Sequence, residues 1–350
     1  MLKKFITAAL SAAIILSSAA NALQYSQVGN IYFFGDSLTD SGFNDLWPTI
    51  AAPPTVPPLP AGKAPTFTTF GGYTWAQYIA RDIKGVVLPV YPGPSPADTM
   101  TNNSCCNVPG FVSGTLTGFN YAAGGSTTNS IGVSETWAPS LITQVNTFLN
   151  TPGRTIHPND IFFIWAGAND LLAVLSDPPT NDLELEYMML KAAKNAAVNI
   201  TNAVASLSAK GARRFVIMSL PNIGRAPLVT VLNDPFLTQA AKNVSFTFDS
   251  MLNQQLGTIV TRYNIKFLYV NVYALLDEII NNANLGLPYY VQGEAFLFTN
   301  TTVPVCGYST SAIYCTETSN GYLFADLLHP TDMAHRVISL RVESLIKLWQ

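Results

Sequence analysis

The sequence predicts an α/β protein built on a doubly wound parallel sheet flanked by helices. Two observations point there: short β-branched and aromatic runs, and long stretches of helical periodicity alternating with them. The runs Ile31 to Phe34, Ile161 to Trp165, Phe215 to Ser219 and Phe267 to Asn271 are each bounded by turn formers and read as buried strands. Leu185 to Lys210, Phe236 to Tyr263 and Met333 to Trp349 carry apolar side chains at spacings of three and four, which is the recurrence of a helix face. Between Pro48 and Pro65 the chain reads PPTVPPLPAGKAP, too rich in proline for a helix or a central strand, so an extended surface insertion is expected there. Helix-strand alternation resumes afterwards, and residues 23–350 are expected to form a single domain.

The chain opens MLKKFITAALSAAIILSSAANA, with Lys3 and Lys4 ahead of an apolar run and small residues ending at Ala20-Asn21-Ala22. That order of charge, apolar core and small-residue exit predicts a signal peptide over residues 1–22. The apolar run is shorter than the ~20 residues that cross a bilayer, so cleavage is expected to leave no transmembrane anchor and a secreted protein, extracellular or periplasmic. Charged residues make up 11% of the chain against a usual ~25%, while 48% are hydrophobic. Such a surface suits weakly polar partners. With a net charge of -3 and no basic cluster beyond pairs such as Arg213 and Arg214, no nucleic-acid partner is expected.

Four cysteines in an exported chain allow three pairings. Cys306 and Cys315 bracket a short polar loop and are the expected disulfide, whereas adjacent Cys105 and Cys106 allow only a strained vicinal bridge or free thiols. Neither pair has zinc-finger spacing with nearby histidines, so no metal is expected. The bracketed loop precedes Asp326 and His329 and is expected beside them, as a gate on access or as a plain staple.

Chemistry concentrates in four places. IYFFGDSLTDSG delivers Ser37 to a solvent-facing turn beyond the end of the first strand, where parallel sheets present ligands, although a serine there also serves as a helix N-cap. ADLLHPTDMAH places Asp326 three residues before His329, with Pro330 and Thr331 opening the last helix. A serine hydroxyl needs a base to take its proton, imidazole titrates near the working pH, and a carboxylate three residues away can fix its tautomer. Only His157 and His335 compete for that role: the first is expected at the far end of the sheet, the second as a packing or surface residue on the final helix. FNYAAGGSTT brings Gly124 and Gly125, whose backbone can approach a ligand closely, and IFFIWAGAND carries Gly167 and Asn169 to the carboxyl end of a buried strand.

Together these blocks resemble the GDSL esterases and lipases, or SGNH hydrolases: Gly35-Asp36-Ser37-Leu38, the glycine of Asn120 to Gly125, Gly167-Ala168-Asn169-Asp170, and Asp326-Leu327-Leu328-His329, in the family's order. The chain departs in one detail, Phe43 standing before Asn44. No Gly-x-Ser-x-Gly elbow occurs. The resemblance implies a flavodoxin-like SGNH hydrolase fold and a serine esterase without cofactor. It also implies Ser37, Asp326 and His329 as the catalytic residues, and an oxyanion hole formed by Ser37, Gly125 and Asn169. Its length, opening motif and late cysteine pair look similar to bacterial secreted lysophospholipases, phospholipases A and glycerophospholipid:cholesterol acyltransferases. That likeness implies acyl-ester lipid substrates, a sterol or other alcohol as acceptor, and transient contact with lipid surfaces. Two other readings stay open: a carbohydrate acetyl esterase, with Trp47, Tyr73 and Trp75 stacking on sugars or acyl chains, and an inactive binding protein on the same fold.

Overall fold

The computed structural model describes residues 25–43, 66–85, 119–130, 138–309 and 315–349. The expected signal peptide, the proline-rich insertion, Trp47, Cys105 and Cys106 lie outside the described residues. Strand β1 spans Ile31–Gly35, β2 Phe119–Asn120, β3 Ile161–Trp165, β4 Arg214–Met218 and β5 Lys266–Val270. They form one parallel sheet in the order β2-β1-β3-β4-β5. Helices are α1 (Trp75–Lys84), α2 (Leu141–Asn150), α3 (Ala168–Ser176), α4 (Asp182–Ala209), α5 (Pro235–Tyr263), α6 (Val272–Asn284) and α7 (Asp332–Ile346), and a small hairpin joins β6 (Tyr289–Val291) to β7 (Glu294–Phe296).

Alternation along each strand splits the core in two. Tyr32, Phe34, Phe162, Ile164, Phe215 and Ile217 pack with α2, α3, α4 and α5, while Ile31, Phe33, Ile161, Phe163, Val216 and Met218 pack with α1, α6 and α7. Both faces are therefore covered, which is why the strands read as continuous apolar runs. The sheet is doubly wound, as the sequence predicts. Two strand ends fall one residue short of expectation because their polar residues serve the next turn. Ser219 Oγ accepts from Val272 N at 2.8 Å, and Asn271 Oδ1 caps α6 by accepting from Ala274 N at 2.8 Å. Among the described residues no helix is long and apolar enough to cross a membrane.

Because β1 is followed by β2 on one side and β3 by β4 on the other, the connections leaving β1 and β3 diverge and open a crevice at the carboxyl ends of these strands. The register Gly35↔Trp165 brings the ends of β1 and β3 level, so the loops that follow them share that crevice.

Candidate active site

The turn after β1 begins with a close approach. Gly35 has φ 151°, and a Cβ there would run into the carbonyl oxygen of Trp165, so no other residue fits this end of the strand. The Asp36 carbonyl then accepts from Thr39 N and Asp40 N, both at 3.0 Å, and Asp36 Oδ1 accepts from Leu38 N at 3.0 Å. Ser37 projects from this turn and caps no helix among the described residues. It is also more enclosed than a solvent-facing turn: loops folding over it leave 8% of its surface exposed.

Ser37 Oγ lies 2.7 Å from His329 Nε2, and His329 Nδ1 lies 2.7 Å from Asp326 Oδ2. Asp326 is fully buried, and its other oxygen accepts from Leu328 N and His329 N, each at 2.7 Å. Those bonds hold the carboxylate in the plane it needs to receive Nδ1–H. With the proton on Nδ1, Nε2 presents its lone pair to the serine hydroxyl. Phe67 packs against the imidazole with ring centroids 4.9 Å apart, sheltering it from water.

A second group of loops is bonded to the turn that carries Ser37. Asn120 anchors the strand after β1, its Nδ2 donating to Thr39 O at 2.6 Å and its Oδ1 accepting from Ala122 N at 3.0 Å. Gly124 N–H donates to Asp40 Oδ2 at 2.8 Å, which takes it out of use. Gly125, at φ 84°, and Ser37 keep backbone N–H groups with no acceptor among the described residues. Asn169, on the first turn of α3, is buried and donates one Nδ2–H to Ser126 O at 2.8 Å, fixing the amide and leaving its other N–H. Asp170 beside it accepts from Thr128 N at 2.9 Å and Thr128 Oγ1 at 2.6 Å. Burial pushes the carboxyls of Asp36 to about 7 and of Asp40 and Asp170 to about 6, against the pull of their N–H and O–H donors.

The other sequence candidates separate cleanly. His157 is exposed before the amino end of β3, its N–H donating to Asp160, at the opposite end of the sheet from Ser37. His335 is a packing residue: fully buried, it accepts from Trp75 N at 3.2 Å, and burial lowers it to about 3. Trp75 does not face a ligand, because its ring is fully buried against Phe33, Phe163 and Trp165. Tyr73 rests edge-on against Tyr78.

Cys306 and Cys315 form a disulfide with Cα atoms 5.2 Å apart. Cys306 N donates to Ala325 O at 2.7 Å and Leu327 N to Ser309 O at 2.9 Å, so the start of this loop runs alongside Asp326. On the other flank Leu228 N donates to Leu327 O at 2.9 Å. Exposed Val231, Leu232 and Tyr308 thus stand on segments that adjoin Leu327, close to the histidine, and no charged residue occurs in 226–233 or 302–309.

Asp40, Ser126 and Gln144, unmarked in the sequence reading, hold these loops. Gln144 left one legible trace, a glutamine on the apolar face that Leu141, Val145 and Phe148 present.

Comparison with known proteins agrees with this arrangement. The GDSL-like Lipase/Acylhydrolase family matches residues 31–342. A GDSL esterase/lipase of Arabidopsis thaliana, At1g73610, is 28% identical over 355 residues, covering 95% of this chain and 93% of the relative. A second, At2g40250, is 25% identical over 343 residues, covering 93% and 91%. An acetylesterase of Thermothelomyces thermophilus is 27% identical over 245 residues, covering 66% of this chain and 68% of its own. With the four sequence blocks gathered around one crevice and the family match spanning the sheet from β1 to α7, the chain belongs to the GDSL-like lipase/acylhydrolase family and is a carboxylic ester hydrolase.

Proposed function

We propose that Ser37 is the nucleophile, His329 its general base and Asp326 the carboxylate that orients and stabilises the imidazolium. Ser37 Oγ attacks the ester carbonyl as its proton passes to Nε2; the tetrahedral intermediate expels the alcohol, which takes that proton, and leaves an acyl-enzyme. Water, or a second alcohol, then reverses these roles and frees the acyl group. The N–H groups of Ser37 and Gly125 and the free Nδ2–H of Asn169 receive the oxyanion. The observation that carries this reading is the unbroken pair of 2.7 Å contacts from hydroxyl to imidazole to carboxylate.

For substrate, the reading is an acyl-ester lipid, of the lysophospholipase or phospholipase A kind, with transfer to a sterol or other alcohol as a variant of the second step. The uncharged, apolar segments bordering the histidine support it, as does a chain poor in charge. Removal of acetyl groups from carbohydrate is the second reading, favoured by the likeness to the fungal acetylesterase. The Cys306–Cys315 disulfide favours an oxidising compartment, consistent with export through the N-terminal segment, and the one five-stranded sheet running from β2 to β5 supports a single domain over residues 23–350. Turnover on lysophospholipid, phospholipid, triglyceride and acetylated xylan at equal concentration tests the substrate class. Cleavage of the xylan alone would replace the lipid reading with the acetyl one.

A further inference from the structure

Three separate loops have to present their donors to one oxygen atom, and one buried side chain touches two of them. Gln144, on the first turn of α2 and almost wholly buried, accepts from Gly35 N at 2.9 Å and donates back to Gly35 O at 2.8 Å. This closed pair grips the last residue of β1, two positions before Ser37. The same Nε2 lies 3.0 Å from both Ser126 Oγ and Pro139 O, so its second hydrogen is shared between these two acceptors. Ser126 follows Gly125 directly, its Oγ donates to Pro139 O at 2.7 Å, and its carbonyl accepts from Asn169 Nδ2 at 2.8 Å. A continuous buried chain of hydrogen bonds therefore runs from Gly35 through Gln144 and Ser126 to Asn169. It joins the backbone beside all three oxyanion donors.

The side-chain type is constrained. Gly35 N requires an acceptor while Ser126 Oγ, whose own hydrogen goes to Pro139 O, requires a donor, and among side chains of this length only an amide offers both from one planar group. Methionine fills the same volume and satisfies none of them. Glutamate keeps the acceptor but, ionised, sets negative oxygens against two carbonyls. Such a network is strong when complete and costly when one member is lost.

We propose that Gln144, acting through Ser126, is a positioning residue that sets the spacing of the oxyanion donors. It touches neither substrate nor reacting atoms. The proposal rests on the oxyanion assignment of Ser37, Gly125 and Asn169 given above, so the test measures the two separately.

The experiment compares wild type with Gln144→Met, Ser126→Ala, Asn169→Ala and the double variant Gln144→Met/Asn169→Ala. Readouts are thermal melting, kcat and KM on a short-chain p-nitrophenyl ester, and affinity for a trifluoromethyl ketone, whose adduct with the nucleophile places an oxyanion in the hole. A folded Gln144→Met should lose about 10- to 100-fold in kcat through misplaced donors, with KM little changed. Ketone affinity should fall by a similar factor. Its loss should shrink in the Asn169→Ala background, because both changes act on the same oxyanion. Ser126→Ala, which deletes one hydroxyl, should show a smaller loss of the same kind and decides the matter if Gln144→Met does not fold. Wild-type kcat in a folded Gln144→Met, or a loss confined to KM, would overturn the proposal while leaving the oxyanion assignment intact. Wild-type kcat in Asn169→Ala would instead overturn that assignment and the proposal with it.

Discussion

His329 and His335 lie on either side of the same helix start and are both buried, yet the chain uses them in unrelated ways. His329 belongs to a turn whose backbone N–H groups go to the Asp326 carboxylate, and its ring has a carboxylate on one nitrogen and a hydroxyl on the other. His335 belongs to α7, and its backbone N–H goes to Thr331 O in the regular helical manner. Its Nδ1 accepts from the N–H of Trp75, the first residue of α1, a donor that a helix start leaves without an internal partner. One imidazole bridges a carboxylate and a hydroxyl, the arrangement on which the proposed proton transfer rests; the other is an acceptor that pins one helix to another. Burial and residue type are the same in both, and the partners make the difference.

Exchanging each histidine breaks the comparison most directly. His329→Ala should reduce kcat by about 10⁴-fold or more while the protein stays folded, since the serine loses the group that takes its proton. His335→Ala should keep most of the kcat of the folded fraction. It should lower stability by about 2–4 kcal/mol, through a cavity and an orphaned Trp75 N–H. Urea melts and active-site titration read both effects, and a folded but inactive His335→Ala would reverse the assignment of the base. Asn169→Ala comes next, with kcat down by about 10² to 10³ and a smaller change in KM, because the donor matters once charge has developed on the oxygen. A variant altered chiefly in KM would make Asn169 a substrate-binding residue.

Legibility in the sequence followed the same division. Strands buried on both faces and the long helices α4 and α5 were plain, because burial forces apolar runs and period. The helices α1, α2, α3 and α6 are short, and β2 has only two residues, so periodicity had little length to act on. The β6–β7 hairpin turns on Gln292 and Gly293, both at positive φ, without the Asn-Gly or Asp-Gly pair that marks such turns. At the site, Ser37, Asn169, Asp326 and His329 stood out because each falls in a compact block, while Gly125 was separated from Gly124 only by the family resemblance. Gln144 did not, since its partners Gly35 and Ser126 lie 109 and 18 residues away and only the fold brings them together.

The disulfide sharpens the comparison from the turn's side, since the His329 turn is held by a loop that the His335 helix does not need. Replacing both Cys306 and Cys315 with serine should cost about 2–3 kcal/mol through the freed unfolded chain. The backbone bonds of Cys306 N to Ala325 O and Leu327 N to Ser309 O remain, so kcat should change far less than in Asn169→Ala. A loss of kcat as large as that of Asn169→Ala, at full folding, would show that the bridge itself keeps Asp326 in place.

The last comparison sets two buried carboxylates against each other, and they differ as the two histidines do. Asp326 has a histidine and two N–H donors, whereas Asp36 has Leu38 N on one oxygen and no hydrogen-bond partner on the other among the described residues. Burial, with Asp170 adding to it and His329 and the Leu38 N–H opposing, pushes Asp36 up to about 7. A carboxyl raised in the folded state binds its proton more tightly there than in the unfolded chain. Its stabilising contribution is therefore complete below the unfolded value of about 4 and is lost as pH rises toward about 7. Asp36→Asn removes that titration and keeps the acceptor for Leu38 N. The stability of the variant minus that of wild type should then climb with pH between about 4 and 7, by at most about 1.4 kcal/mol per pH unit, and level off above. Any fixed cost of the new amide shifts the whole curve without tilting it. Chemical denaturation at closely spaced pH values reads the slope directly, and a difference that stays flat across that window would mean that Asp36 is ionised throughout and is held by partners after all.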